Sequence, residues 1–187
     1  MSRERSPYAC GPLADSLFAF TPCNTAPGHY IRGTVLTSAR DMDQPLLDER
    51  FRGIDRLYGA GSAARLAAAH VCIVGIGGVG SWAVEALARS GVGRLTLIDA
   101  DEVCVSNTNR QLHALDGTFG RTKVDVMAER ARAINPAMHV DAIAEFLTPS
   151  NLETLLGRGY DLVLDCCDAF RVKVEMIAWC QIGRAHV

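Results

Sequence analysis

The stretch His70-Val71-Cys72-Ile73-Val74-Gly75-Ile76-Gly77-Gly78-Val79-Gly80-Ser81-Trp82 decides the fold. A short β-branched run leads into a turn with four glycines, and residues 81–90 then place apolar side chains at helical spacing. Strand, glycine turn and helix in this order are typical of a dinucleotide-type fingerprint. Because glycine has no Cβ, such a turn can tighten and bring backbone N–H groups to a phosphate at the helix N-terminus. The stretch therefore predicts phosphate contacts at Gly75, Gly77, Gly78 and Gly80.

The residues after this unit continue the alternation of strand-like and helix-like segments. Asn135-Pro136 ends one helix, and residues 148–151 offer an N-terminal cap for another. Such alternation predicts an α/β fold: a Rossmann-like, doubly wound, mainly parallel sheet with helices on both faces, incomplete at its C-terminal end. We predict strands over 70–76, 94–100, 140–146 and 160–165, and helices over 81–90, 121–134, 152–156 and 172–181.

Both ends of the chain lack this pattern. Residues 1–41 hold four of the seven prolines and show no sustained period, which predicts a disordered or non-native extension, with a natural tail as the alternative. Residues 182–187 complete no element, and the codons ATC GGA AGA GCA CAC GTC for them look like a sequencing-library adapter. We predict a domain over 42–181 and a non-native tail over 182–187, with a natural C-terminus as the alternative.

Composition narrows the class of protein. The chain has 187 residues, 49% of them apolar, which suits one soluble domain with a sizeable core. A formal net charge of −2 gives no global basic field, although a local basic patch can still bind nucleic acid. Seven cysteines without a Cys-x-x-Cys pair favour reduced thiols. No apolar run approaches the roughly 18 residues that cross a membrane, so we expect a cytoplasmic protein without a membrane partner.

The polar residues after the second predicted strand indicate which kind of nucleotide binds. Asp99 follows Gly80 by 19 residues, where a carboxylate can accept hydrogen bonds from ribose hydroxyls. The glycine fingerprint alone would favour an NAD-dependent oxidoreductase. Arg121 and Lys123 at a helix start suit a triphosphate better, because paired cations stabilise phosphate charge. Further polar residues crowd the same segment: Asp101, Ser106, Asn107, Asn109, Arg110 and Gln111.

Two aspartates close the fourth predicted strand. Asp165 and Asp168 lie at the carboxyl edge of the sheet, where ligands of such sheets bind. Asp168 is a candidate for holding Mg²⁺ together with phosphate oxygens. The alternative for Asp168 is a carboxylate that caps the next helix.

In order and spacing, these motifs resemble the ubiquitin-activating-enzyme-like adenylyltransferases. They are Gly-x-Gly-Gly-x-Gly, Asp-x-Asp, Asn-x-x-Arg-Gln, Lys and Asp-Cys-x-Asp, and the resemblance covers about residues 48–181. It implies an ATP-binding α/β domain that forms homodimers and transfers AMP to a carboxylate or carbonyl-type oxygen.

The resemblance also implies roles for individual residues. The four glycines would contact phosphate, Asp99 and Asp101 would belong to the nucleotide site, and Asp168 would hold the metal. Catalytic roles would fall to Arg110, Lys123 and Asp168, with Asn107 assisting the two cations at the triphosphate. An arginine before the first strand would reach the ATP of the partner subunit; we choose Arg56, with Arg52 as a rival.

Within that family, Arg56-Leu57-Tyr58-Gly59, residues 75–82 and residues 103–114 resemble the tRNA threonylcarbamoyladenosine dehydratases. The implied reaction activates the carboxylate of the threonylcarbamoyl group on an adenosine beside the tRNA anticodon, and ring closure expels AMP. We expect His113 to be a packing residue or to act through its neighbours rather than as a general base. Neither Cys166 nor Cys167 is predicted to be a thioester-forming nucleophile, because an apolar context raises a thiol pKa.

Two other classes stay open. A sulfur-carrier-protein adenylyltransferase, with a sulfur-transfer partner protein, would use the same ATP site on a protein C-terminus. A non-catalytic nucleotide-binding module would lack ATP–pyrophosphate exchange. Family members continue past residue 181, so we expect this 187-residue chain to bind nucleotide poorly and to lack dehydratase activity.

Overall fold

The computed structural model describes residues 44–180, with side chains from Glu49 onward. The predicted extension 1–41 and tail 182–187 lie outside these residues. Among the described residues, no helix is long and apolar enough to cross a membrane. The elements in chain order are α1 (Gln44–Tyr58), α2 (Ser62–Ala68), β1 (His70–Val74), α3 (Gly80–Arg89), β2 (Arg94–Ile98), a 3₁₀ turn (Val105–Asn107), α4 (Lys123–Ile134), β3 (His139–Ile143), α5 (Leu152–Leu156), β4 (Leu162–Asp165) and α6 (Phe170–Trp179).

The four strands form one parallel sheet in the order β3-β2-β1-β4. β1 is central, with β2 on one side and β4 on the other, so the chain changes winding direction between β1 and β4. This is the topological switch point at which open α/β sheets bind ligands. The predicted α/β class and parallel doubly wound sheet are confirmed.

Helices cover both faces of the sheet because β1 alternates its side chains between two apolar cores. Val71 and Ile73 join a core with α3 and α4, whereas Cys72 and Val74 join a second core with α5 and α6. A strand buried on both faces reads as a continuous apolar run, which is what the sequence shows at 71–74.

Several predicted boundaries move by a few residues. The first strand ends at Val74 rather than residue 76, because Gly75 takes a φ of +89° and leaves the extended conformation. The third strand begins at His139 and ends at Ile143. Asn151 does occupy the N-cap of α5, but its Oδ1 accepts a hydrogen bond from the Thr148 N–H rather than from the helix.

Two N-terminal helices were not predicted. α1 is anchored at the amino edge of the sheet: Phe51 lies against Gly91, and the Arg50 Nη1 donates to the carbonyl of Ile134 at the end of α4. α2 then leads into β1. The exposed Arg56 lies in the last turn of α1, and the described contacts of α1 do not bring it to the glycine turn of the same subunit.

Candidate nucleotide-binding site

The glycine turn, Asp99 and the end of β4 meet at the carboxyl edge of the sheet. Val74 lies in register with Ile98 of β2 and with Asp165 of β4. The Gly75 N–H donates to the Ile98 carbonyl at 2.9 Å, and the Cys166 N–H donates to the Val74 carbonyl at 2.8 Å. Backbone pairing therefore sets the turn between the two neighbouring strand ends.

Gly75 and Gly80 are required by packing within the protein. A Cβ on Gly75 would lie 2.8 Å from the backbone of Cys166 and Cys167, and one on Gly80 would lie 1.8 Å from the Gly75 carbonyl oxygen. No side chain fits at either position. These two glycines close the helix onto the strand, which is one of the recognised functions of glycine in this fingerprint.

Gly77 and Gly78 differ from Gly75 and Gly80, which we call the closed pair, because a Cβ at either position would make no close contact with backbone. A Cβ on Gly77 would approach the Gln111 Nε2 to 3.8 Å, and one on Gly78 would approach the Arg110 Cγ to 3.6 Å, both ordinary contacts. Their backbone N–H groups lie just before α3, where the helix dipole favours an anion. We call Gly77 and Gly78 the open pair.

Asp99 fixes the shape of the turn. It is buried, its Oδ2 accepts from the Ile76 N–H at 2.6 Å, and its Oδ1 accepts from the Asp101 N–H at 2.8 Å. A carboxylate has about four acceptor positions, so capacity for ribose hydroxyls remains. The predicted ribose contact stays a prediction.

The segment after β2 folds over the open pair. The Asn107 Oδ1 accepts from the Cys104 N–H at 3.0 Å, and the Asn107 carbonyl accepts from the N–H groups of Arg110 and Gln111. The buried side chain of Asn107 thus shapes the loop. Arg110 remains exposed, with its Nη1 donating to Ser106 O at 3.0 Å and Asn109 Oδ1 at 2.9 Å.

Lys123 is the first residue of α4 and is buried. Its Nζ lies 2.6 Å from Asp101 Oδ2; the lysine side chain is 7% exposed and the aspartate side chain 52%. Arg121, which the sequence grouped with Lys123, instead pairs with Glu129 of α4. The structure therefore places Asp101 against Lys123 and Glu129 against Arg121, and the phosphate contact of the two cations stays a prediction.

His113 is buried close to these charges, with both ring nitrogens without a hydrogen-bond partner among the described residues. Burial, and then the charge of Lys123, lower the pKa of His113 to about 4, against the opposing effect of Asp99. The ring is therefore neutral at physiological pH. Its burial agrees with the expected packing role.

At the end of β4, Asp165 pairs with Lys173 of α6 and accepts from the Cys167 Sγ at 3.2 Å. Burial, and then Asp165, raise the pKa of Cys166, and burial raises the pKa of Cys167 to about 11. The predicted direction of both thiol pKa values is confirmed. Lys173 was not predicted, although an opposite charge eight residues after Asp165, across a strand–turn–helix unit, was available as a signal.

Asp168 is exposed just before α6. The N-cap of α6 is Ala169 and no side chain caps the helix, so the capping alternative for Asp168 is not seen. Among the described residues, no three His, Cys, Asp or Glu side chains form a group that could hold a metal.

Comparison with known proteins agrees with this architecture. Residues 52–185 match the ThiF family. The chain is 53% identical over 140 residues to the tRNA threonylcarbamoyladenosine dehydratase of Haemophilus influenzae, covering 75% of this chain and 54% of that protein. It is 38% identical over 116 residues to the molybdopterin-synthase adenylyltransferase of Salmonella typhimurium, covering 62% and 46%.

A solved structure agrees as well. The Escherichia coli tRNA N6-threonylcarbamoyladenosine dehydratase in complex with ATP superimposes with a TM-score of 0.73 at 47% identity, covering 81% of this chain and 60% of that one. This chain spans about half the length of the curated relatives it matches. Because the family matches most of the chain, over residues 52–185, the chain belongs to the ThiF family.

Proposed function

We propose that the protein is an ATP-dependent enzyme that cyclises threonylcarbamoyladenosine beside the anticodon of tRNA by adenylating its carboxylate. The observation that carries the proposal is the open pair, Gly77 and Gly78, over which Arg110 lies. The 53% identity to a tRNA threonylcarbamoyladenosine dehydratase, and the ATP complex of a 47% identical relative, support the choice of nucleotide and substrate.

The chemistry explains why ATP is needed. A carboxylate oxygen of the substrate attacks the α-phosphorus of ATP, and pyrophosphate leaves. An internal nucleophile of the modified base then attacks the activated carbonyl carbon, loses its proton to solvent, and expels AMP with the original carboxylate oxygen. An unactivated carboxylate oxygen is a poor leaving group, whereas AMP is a good one.

The residues at the carboxyl edge suit this reaction. The backbone N–H groups of the open pair would bind phosphate, and Asp99 would accept from the ribose. Arg110 and Lys123 would stabilise the charge that grows on the phosphates, because cations help most where charge develops in the transition state. Lys123 would exchange its present partner Asp101 for phosphate oxygens, and Asn107 would hold the loop that carries Arg110.

Asp168 is our proposed Mg²⁺ ligand. Mg²⁺ is usually bound by one or two carboxylates together with substrate phosphates rather than by an all-protein cage. An exposed carboxylate at the phosphate-facing edge, without a three-residue metal group in the described part of the chain, fits that pattern. The ion would supply charge neutralisation on the triphosphate.

We also propose a cytoplasmic homodimer in which Arg56 reaches the ATP of the partner subunit. Its position on α1, which is anchored at the amino edge, supports a role outside the glycine turn of its own subunit.

A sulfur-transfer protein is a further proposed partner. The second candidate function is adenylation of a sulfur-carrier protein, favoured by the 38% identity to a molybdopterin-synthase adenylyltransferase.

The test assays cyclisation of threonylcarbamoyladenosine-containing tRNA with ATP and Mg²⁺, using this 187-residue chain and a chain extended from the source DNA to the length of the relatives. We expect the extended chain to form the cyclic nucleoside with one AMP per turnover, and the shorter chain to be inactive. ATP–pyrophosphate exchange that requires a carrier-protein C-terminus, without tRNA cyclisation, would favour the second candidate. An extended chain without any exchange would indicate a non-catalytic module.

A further inference from the structure

An exposed tryptophan lies beside the open pair. Trp82 is in the first turn of α3 and is 55% exposed. Its indole Nε1 donates to the carbonyl oxygen of Arg110 at 3.3 Å. The hydrogen bond fixes one edge of the ring while more than half of the residue remains in contact with solvent. An oriented indole of this kind can present a flat apolar surface to a ligand.

A short series of contacts joins this ring to the phosphate-facing turn. The Arg110 side chain lies 3.6 Å from where a Cβ on Gly78 would be, and the carbonyl of the same arginine receives the Trp82 N–H. Trp82 is also two residues after Gly80, which closes the turn. The indole is therefore a neighbour of the proposed nucleotide site rather than an isolated surface residue.

The occupant follows from the chemistry at that site and rests on the proposed function. The reacting carboxylate is tied to a nucleobase by only a few bonds, so that base or its neighbour must lie close to the α-phosphate at the open pair. Single-stranded RNA bases stack readily on aromatic side chains. An indole beside the exposed Arg110 offers such a base a stacking surface next to a local positive charge.

We propose that Trp82 is a stacking platform for a base in a single-stranded loop of the substrate RNA. It acts as a positioning residue: it holds the base so that the attached carboxylate meets the α-phosphate. Reactions that depend on orientation lose much of their rate when the substrate is misplaced by about 1 Å. The competing occupant of this surface is a second copy of the chain.

Fluorescence can report on Trp82 alone. The sequence has two tryptophans, and the other, Trp179 on α6, donates its Nε1 to Glu153 Oε2 at 2.8 Å on the opposite face of the sheet. A Trp179→Phe variant of the extended chain leaves Trp82 as the sole tryptophan among residues 1–187, and any tryptophan beyond residue 187 is replaced by Phe in the same protein. The probe is an unmodified RNA stem–loop with an adenosine in its loop, and the control is a fully paired RNA duplex of similar length.

We expect saturable quenching of Trp82 by the stem–loop and little quenching by the duplex. In an otherwise unchanged extended chain, Trp82→Leu should weaken stem–loop binding about tenfold, since stacking contributes about 1–3 kcal/mol per base, and Trp82→Phe should restore most of it. The ATP affinity of both variants should stay within about twofold of the parent.

Three results would overturn the proposal. They are equal quenching by stem–loop and duplex, unchanged stem–loop affinity in Trp82→Leu, and an emission shift that follows protein concentration without RNA, which would assign the ring to a contact between copies. Because the probe is unmodified, RNA binding is measured independently of adenylation. Stacking without cyclisation would count against the proposed function alone, and cyclisation without stacking would count against this inference alone.

Discussion

Two pairs of glycines lie within six residues of each other but have different roles. They are the closed pair, Gly75 and Gly80, and the open pair, Gly77 and Gly78. A side chain at either closed position would meet backbone at 2.8 Å or less, whereas one at either open position would make ordinary contacts of 3.6–3.8 Å. One pair joins helix to strand, and the other leaves backbone accessible to a ligand. A glycine fingerprint therefore contains both fold requirements and binding requirements, and substitution can separate them.

The largest expected effect comes from filling the closed position. Gly80→Ala should destabilise the protein by more than about 4 kcal/mol, because its Cβ would lie 1.8 Å from a backbone oxygen that cannot move without breaking the turn. Denaturant unfolding followed by circular dichroism measures this. A cooperative unfolding transition close to that of the parent would show that the turn is not closed as described.

A smaller effect is expected at the cation over the open pair. Arg110→Ala should slow adenylation about a hundredfold while weakening ATP binding much less, because charge on the phosphates grows in the transition state. Lys123→Ala should act in the same direction. The matched control is Arg121→Ala, whose side chain pairs with Glu129 and should change the rate little. Equal losses of rate and ATP affinity would indicate that Arg110 only holds the ground state.

The buried His113, like the closed pair, is expected to act on folding rather than on nucleotide binding. Its burial should make the free energy of unfolding depend on pH. Its pKa falls from 6.5 to about 4 on folding, so the unfolded chain binds the proton first as the pH drops. The contribution of the neutral, buried His113 to the free energy of unfolding is fully present above about pH 6.5. It falls by up to about 3 kcal/mol as the pH drops toward 4. The free energy of unfolding of the parent minus that of His113→Leu should fall by about that amount from pH 7 to pH 4, because only the parent carries the titrating ring. A difference that stays constant would mean that the ring titrates normally.

The smallest effect on folding should come from the open pair. Gly77→Ala should change the free energy of unfolding by less than about 1 kcal/mol, because its Cβ meets nothing closer than 3.8 Å. Calorimetry on the extended chain should nevertheless show that Gly77→Ala weakens ATP binding about tenfold, since the added methyl group occupies the path of the phosphate. The extended chain without the substitution should not bind NAD. NAD binding without ATP binding would reverse the assignment of the nucleotide.

Periodicity was enough to predict the order of β1 through α6 and the parallel sheet, because short strand-like segments alternate with segments of helical period. α1 was missed although Phe51, Ile54 and Tyr58 recur at helical spacing, a local signal for an amphipathic helix. Its tertiary anchors, Phe51 on Gly91 and Arg50 on the end of α4, join residues far apart in sequence and could not be predicted. The same limit hid the division of the glycines into two pairs, since spacing does not show which glycine lies tightly against backbone and which would make only ordinary contacts.

Side-chain partners were the least predictable part of the site. The residue types Asp101, Lys123 and Arg121 indicated phosphate chemistry, but which lysine or arginine turns to which carboxylate depends on helix orientation. The structure pairs Lys123 with Asp101 and Arg121 with Glu129. Similarly, Asp165 reaches Lys173 because β4 and α6 meet at the sheet edge.

The most direct test of the account follows one oxygen atom. The extended chain is supplied with ATP and tRNA whose threonylcarbamoyl carboxylate carries ¹⁸O, and the phosphorus-containing products are analysed by mass spectrometry. Attack of the carboxylate on the α-phosphorus at the open pair predicts AMP with one ¹⁸O and unlabelled pyrophosphate. Label in inorganic phosphate with ADP as the other product, or cyclic nucleoside formed without label in AMP, would contradict adenylation at this site.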